Sequence, residues 1–330
     1  MRAVVVEEVG NRESIRLAEV AAPKPGRGEI LLDVDSIGIN FPDLLVIDGK
    51  YQTIPPTPFT PGKEAAGVIT EVGEDVTRVK PGDRVMVQVN HGAFAEQVVA
   101  REAHTYSLPT EMDFKIAAAM GLVYQTSYFA LTDRAGVKPG DTVLVTGASG
   151  GIGVAGIQLA KALGTTVFAG LTTMSKAQAI LDAGADHIID LTKDDLKDTV
   201  RQQVHELTNG KGVDVVLDGV GGDVFDACLR ALAWGGRIVI VGFTSGRIPT
   251  IKTNYLLLKN VSAVGMTINS YFNKAPEMVQ QAQEEIFKLF KGGKINPLVM
   301  GEYSLDRFSD ALDVLESRKI IGKVILSTKD

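Results

Sequence analysis

Of the 330 residues in this chain only one, Cys228, is a cysteine. One thiol can form neither an intrachain disulfide nor a cysteine-rich structural zinc site, so neither staple is expected. No apolar run reaches the ~18 residues that a membrane-spanning helix needs. There is no basic block either: 34 lysines and arginines are mixed with 40 acids, for a net charge of −6. That mixing, with no aromatic–basic stripe, argues against a nucleic-acid partner. The opening MRAVVVEEVG has two acids within eight residues and reads as a strand rather than a secretory signal. Together these absences point to a reducing, cytoplasmic setting without membrane attachment. Histidine is scarce too: His91, His104, His187 and His205 are scattered, with no ligand spacing and no sign of a Ser/His/Asp triad.

What is present describes an ordinary globular protein, with 45% hydrophobic and 22% charged residues. The length favours two domains. The first part of the chain is β-rich. EILLDVDSIGI alternates apolar and polar residues, and AAGVITEVG and DRVMVQV are further strands separated by the turn signals GED and KPGD. Short strands at this spacing predict a barrel or folded sheet. The proline-rich run TIPPTPFTPG, residues 53–62, reads as an irregular loop.

The character changes near residue 112. DFKIAAAMGLVYQTSYFAL predicts a helix. Strand and helix patterns then alternate: DTVLVTG, GVAGIQLAKALG, TTVFAG, SKAQAILDAG, DHIID, LKDTVRQQVHELTNG, VDVVLDGVG, DVFDACLRALAWGG and RIVIVGF. Continuous apolar strands between helices predict a parallel sheet covered on both faces. That domain is placed at residues 121–265, with residues 1–120 and 266–330 forming the other. The tail GEYSLDRFSDALDVLESRKIIGKVILS predicts a helix followed by a strand.

The densest signal is TVLVTGASGGIGVAGIQLAKALG. Ala148-Ser149-Gly150-Gly151-Ile152-Gly153 is a GxGxxG-type turn with alanine at its first position, after a strand and opening a helix. Such a turn lets the backbone approach a pyrophosphate, which the helix N-terminus attracts. A carboxylate about 20 residues on would select the 2′-hydroxyl of NAD. Instead Thr165 to Lys176 contains no acid, but does contain Thr172, Thr173 and Lys176. Hydroxyls and an ammonium suit a 2′-phosphate, so the expected cofactor is NADPH.

The segments GINFPDLLVIDGKYQ, PFTPGKEAAGVI, VKPGDRVM, AAAMGLVYQTSYFAL, VLVTGASGGIG, LRALAWGGRIVIVGF and IGKVIL together resemble the medium-chain dehydrogenase/reductase superfamily, in particular its zinc-free quinone oxidoreductase branch. The resemblance runs over nearly the whole chain. It implies an α/β protein with a GroES-like β-barrel built from both chain ends, a Rossmann domain between, and an active site in the cleft. It further implies NADPH as hydride donor, no flavin, and a homodimer or homotetramer, of which a homodimer is expected here. Zinc-dependent relatives keep a cysteine ligand in the segment matching GINFPD, where this chain has Asn40, and a histidine where it has Lys63. No metal is therefore expected.

By the same resemblance, Asn40, Thr126 and the backbone at Gly242 and Phe243 lie near the nicotinamide, Tyr51 sits toward the substrate, and Lys323 lies near the cofactor. Quinones and conjugated enones are already electrophilic, so alignment and hydrogen bonds to the forming oxyanion suffice. Asn40 is a candidate neutral donor, Tyr51 a proton donor and Lys63 a cationic one. The bland alternatives are that Asn40 ties down a loop, Tyr51 packs, and Lys63 pairs with Glu64, Asp43 or another acid. The expected function is NADPH-dependent, zinc-independent reduction of quinones or α,β-unsaturated carbonyls. The alternatives are C=C reduction of enones or enoyl thioesters, ketone or aldehyde reduction, and a non-enzymatic NADPH-binding protein.

Overall fold

The structure, a computed structural model, describes residues 1–329. In chain order it begins with β1 (Arg2–Val6), β2 (Ile15–Glu19), β3 (Glu29–Gly38), α1 (Phe41–Ile47), β4 (Glu64–Val72), β5 (Arg84–Gln88), β6 (Gln97–Arg101) and β7 (Thr105–Ser107). There follow α2 (Phe114–Ala118), α3 (Gly121–Phe129), β8 (Thr142–Val145), α4 (Gly151–Ala162), β9 (Thr166–Leu171), α5 (Ala177–Asp182), β10 (His187–Asp190), α6 (Leu196–Leu207), β11 (Val213–Asp218), α7 (Gly222–Ala231) and β12 (Leu232–Ile240). The chain continues through α8 (Asn254–Lys259), β13 (Ser262–Gly265), α9 (Ile268–Lys274), α10 (Pro276–Lys291), β14 (Val299–Ser304), α11 (Phe308–Glu316) and β15 (Lys323–Ser327). Two compact units result. One comprises Met1–Leu122, Phe272–Glu284 and the residues from Pro297 onward; the other comprises Val123–Tyr271 and Glu285–Asn296.

In the first unit a sheet runs β14-β15-β3-β4-β5-β7, with β6 also on β3. The ten-residue β3 organises it. Its first half pairs with β6, its length with β4, and its last three residues with β15 through Ile325↔Gly38, Leu326↔Ile37 and Ser327↔Ser36. The two ends of the chain thus share one sheet, as the GroES-like reading requires. Three partners also explain why β3 is buried more continuously than its alternating pattern suggests. Ile30, Leu32, Val34, Phe94 and Val324 centre the core.

The second unit is the parallel sheet, in the order β10-β9-β8-β11-β12-β13, with every pairing parallel. This is the Rossmann order, reversing direction between β8 and β11, and ligands of such sheets bind outside the strand ends at that reversal. Leu144, Phe168, Ile189, Val216 and Phe225 form its core. Three elements depart from the sequence reading. The single helix expected over DFKIAAAMGLVYQTSYFAL is two, α2 and α3, broken at Ala119–Met120, and a π-helical turn at Ala130–Arg134 follows. Helix α7 stops at Ala231, because LAWGG already belongs to β12. The short β13 and β14 are additional strands, too brief to show a period in the sequence.

Candidate functional site

The segment TPGKEAAGVI turns the chain into β4, and its two charged residues go separate ways. Glu64, the first residue of β4, is buried, and both its oxygens are used. Oε1 accepts from Lys323 Nζ (2.8 Å) and Asn40 Nδ2 (2.8 Å), and Oε2 accepts from the Leu122 amide (2.6 Å). Lys323, the first residue of β15, is 3% exposed and also donates to Ile39 O (2.7 Å) and Asn40 Oδ1 (2.7 Å). An ammonium has three hydrogens, and these three acceptors take them all. The Asn40 amide hydrogens go to Gly38 O (3.1 Å) and Glu64. A Cβ at Gly38 would collide with the Glu64 carboxylate and the Ala118 carbonyl, so only glycine lets the network close here.

Lys63 differs. It is 7% exposed, its Nζ donates to Asn90 O (3.0 Å), and it lies over the Tyr51 ring, 4.6 Å from the centroid. Among the described residues no carboxylate comes within salt-bridge distance of it. A buried cation is rarely left without an acid partner. Burial pushes its pKa down, and the charge of Asp43 opposes that only in part. Lys63 in turn helps burial depress the His91 imidazole. Of the acids the sequence offered, Glu64 is committed to Lys323, and Asp43 influences Lys63 without bonding it.

Asp43 stands at the third position of α1. Its Oδ2 accepts the Asn40 backbone N–H (2.8 Å), half of a capping box that fixes where the helix begins. Its Oδ1 is buried with no hydrogen-bond partner. Burial raises its pKa to about 7, although Lys63, the Asn40 N–H and Lys323 pull the other way. The structure therefore brings Asn40, Tyr51, Lys63 and Lys323 together in one unit, joined by Glu64 and Asp43.

Does this set fit a zinc ion? Asn40 Oδ1 already accepts from Lys323, and Lys63 offers a hydrogen-bonding ammonium rather than a lone pair. Cys228 is buried in α7, its thiol pKa raised by burial. Among the described residues no group of three or more His, Cys, Asp or Glu could hold a metal ion. The donors at hand do not fit zinc, whose ligands are thiolate, neutral imidazole or carboxylate.

In the second unit the remaining candidates gather at the C-terminal ends of the parallel strands. Helix α4 starts at the glycine turn with no side-chain cap, so its first amides remain for another acceptor. A Cβ at Gly153 would strike the Gly147 carbonyl and the Ala148 backbone, which is why the turn needs glycine there. The Ser127 hydroxyl, next to Thr126 on α3, donates to Ile152 O (3.2 Å) and ties α3 to this turn. Lys176 is buried just after β9, with its Nζ at 3.3 Å from Ser149 Oγ and its pKa lowered by burial. Thr172 and Thr173 are exposed on the same loop.

Gly242 and Phe243 follow β12, where the Thr244 and Ser245 amides donate to Gly219 O and Val220 O and bind the loop to the one after β11. A residue outside the sequence-derived set anchors that loop. Asp218, buried at the end of β11, accepts from Thr146 Oγ1 (2.6 Å) and from the Val220 and Gly221 amides (3.2 and 3.0 Å). The acid in VVLDGVGG is its signal: a carboxylate after an apolar strand and before glycines reads as a turn anchor.

A glycine-rich turn without side-chain competition, beside a buried ammonium, suits a dinucleotide phosphate. Two family models match the chain: the alcohol dehydrogenase GroES-like domain over residues 26–110 and the zinc-binding dehydrogenase over 151–284. A quinone oxidoreductase-like protein 2 homolog from Nematostella vectensis is 37% identical over 99% of this chain and 89% of its own length. A human quinone oxidoreductase is 32% identical over 99% and 97%. The crystal structure of Escherichia coli quinone oxidoreductase complexed with NADPH superposes with a TM-score of 0.91 at 32% identity, covering 99% of this chain and all of that one. With the two domains, the strand order and the zinc-unfit donor set, these likenesses establish that the chain belongs to the zinc-free quinone oxidoreductase family of medium-chain dehydrogenases/reductases.

Proposed function

We propose that this protein is an NADPH-dependent, zinc-independent oxidoreductase that reduces quinones or α,β-unsaturated carbonyl compounds. The observation that carries the reading is Lys63, a buried ammonium held by one carbonyl and one ring, with no carboxylate paired to it among the described residues. A cation held ready at low solvent exposure stabilises a developing oxyanion more strongly than a solvated one, because no reorganisation is needed when charge forms.

NADPH, when bound, supplies the hydride. The amides at the start of α4 would hold its pyrophosphate. Lys176 and Ser149, with Thr172 and Thr173, would hold its 2′-phosphate, and the Gly242–Phe243 backbone and Thr126 would line the place for its nicotinamide. Lys63 donates to the acceptor oxygen, and Tyr51 sets the direction of the ammonium through its ring face. Asn40 and Lys323 have their hydrogens engaged with Glu64 and backbone carbonyls, and act as the frame that keeps this region in register.

The oligomer we propose is a homodimer formed through the second unit. There β13 is the outermost strand, and α8, packed on β12, leaves Leu257 and Leu258 about three-quarters exposed; Trp234 at the start of β12 is 81% exposed. An uncovered sheet edge beside exposed apolar side chains is a surface that proteins normally protect. A second copy of this chain covers it.

The deciding assay follows NADPH oxidation with a quinone, an enone and a simple ketone, before and after chelator treatment. Turnover with the quinone or enone that survives chelation is the expected result. Activity lost to chelation and restored by zinc would overturn the reading, and so would turnover confined to the ketone.

A further inference from the structure

Asp43 is the buried acid for which the reading above finds no use. It is 1% exposed, one of its carboxyl oxygens is spent on the Asn40 amide, and the other has no hydrogen-bond partner. Unpaired buried carboxyl oxygens are uncommon and call for a physical reason. Capping alone is an insufficient one, because Oδ2 does that work by itself. The neighbouring charges supply a better one. Lys63 from the segment before β4 and Lys323 from β15 act on Asp43 as cations, and Glu64 from β4 acts as an anion. Lys323 and Glu64 neutralise each other directly, so Lys63 is the unbalanced charge acting on Asp43. His91, beside Lys63, is biased toward its neutral form.

We propose that Asp43 is a positioning residue that stores the proton with which Lys63 is recharged in each catalytic cycle. This rests on the role of Lys63 given above. Hydride arrival leaves an oxyanion on the reduced substrate. A Lys63 N–H bond breaks as the substrate O–H bond forms, leaving a neutral amine. The Asp43 O–H bond then breaks and the proton passes to Lys63 Nζ, forming the N–H bond anew. Asp43 is left as a carboxylate facing a regenerated ammonium, and solvent returns its proton after product leaves. No electrons move beyond the hydride pair. The site alternates between a neutral acid beside a cation and an ion pair, so it never holds an isolated buried anion after proton transfer.

The raised pKa of Asp43, about 7, fixes the sign of the pH dependence. The competent form is protonated, so the rate is full below that value and falls as pH rises through it. The test is the steady-state kcat of NADPH oxidation with a quinone, over many turnovers, from pH 5.5 to 9, for wild type, Asp43→Asn and Lys63→Met. The Asp43→Asn side chain keeps the carbonyl that caps α1 but stores no proton. The expected wild-type rate falls about tenfold per pH unit above pH ~7. Asp43→Asn loses that limb and is slower by roughly 10–100-fold at pH 6, with unchanged NADPH affinity by fluorescence titration.

A wild-type rate that stays flat across the range overturns the proposal, whether or not Asp43→Asn folds. So does an Asp43→Asn enzyme that keeps the wild-type rate and limb while Lys63→Met is inactive; that outcome leaves the Lys63 reading standing. Full activity in Lys63→Met would instead overturn the Lys63 reading and this inference with it.

Discussion

Two lysines are buried in the same unit of this protein, and the fold treats them in opposite ways. Lys323 gives each ammonium hydrogen to an acceptor and sits 2.8 Å from Glu64. Lys63 has one carbonyl, one aromatic face and, among the described residues, no carboxylate at salt-bridge distance. Burying a charge is costly in either case, but only in the first do partners offset most of that cost. A fully partnered charge has nothing left to offer a substrate and serves as framework. A charge left short of partners is less comfortable in the resting protein and correspondingly more available. The pKa values agree in direction: burial lowers Lys63, whereas the acid facing it, Asp43, is pushed up to about 7.

The comparison can be broken most forcefully at Lys323. Lys323→Met leaves Glu64 as an unpaired buried anion, and unfolding stability should fall by about 3–5 kcal/mol, measured by chemical denaturation. Adding Glu64→Leu should recover most of that loss. If Lys323→Met costs no more than Lys63→Met, the framework role is wrong.

A thermal scan across pH sharpens the contrast at Asp43. Its folded pKa lies above the ordinary carboxylate value, so the stability that goes with its protonated form is present at low pH and lost as pH rises through about 7. Asp43→Asn cannot ionise. Its stability relative to wild type, followed as Tm, should therefore climb between pH 4 and 8, approaching a gain of roughly a few kcal/mol above pH 8. A difference independent of pH would remove Asp43 from the set of strained charges.

Lys63→Met should have the reverse profile to Lys323→Met. It should be folded and at least as stable as wild type, yet about 100-fold slower in kcat, as expected when a preorganised oxyanion donor is lost. Near-normal turnover would make Lys63 an ordinary packed lysine.

The smallest effect belongs to the second unit. Lys176→Ala should lower kcat/KM for NADPH by about tenfold and leave the value for NADH unchanged, since the lost contact is to the 2′-phosphate alone. Equal losses with both cofactors would mean that Lys176 supports the loop rather than the phosphate.

Much of this is legible in residue order because the signals are local. A strand, a glycine turn and a helix follow one another in TVLVTGASGGIGVAGIQLAKALG, and the parallel sheet announces itself through unbroken apolar runs. Lys176 can be picked out because the span before it contains no acid. The pairing inside the first unit is not legible in the same way. Asn40, Glu64 and Lys323 are separated by 24 and 259 residues, and nothing in their order says that Glu64 prefers Lys323 over its chain neighbour Lys63. Lys63 lies in the turn before β4 while Glu64 already belongs to the sheet, so these sequence neighbours reach different partners. Asp218 announces a turn by its place before glycines, but its partner Thr146, just past β8 and 72 positions earlier, is not legible in residue order.

Sequence alone determined the α/β plan and offered the glycine turn as a dinucleotide site, since both are written in residue type and short-range spacing, whereas the reading of Asn40 and Lys63 as stand-ins for metal ligands came from the family resemblance. Tertiary structure decided which charges cancel. Register between β3 and β15 brings Lys323 to Glu64, and the start of α1 places Asp43 where the charge of Lys63 acts on it. In TPGKEAAGVI the glutamate was drawn into the framework and the lysine was left over. That choice depends on distances of a few ångströms between segments far apart in the chain, which only the folded sheet sets.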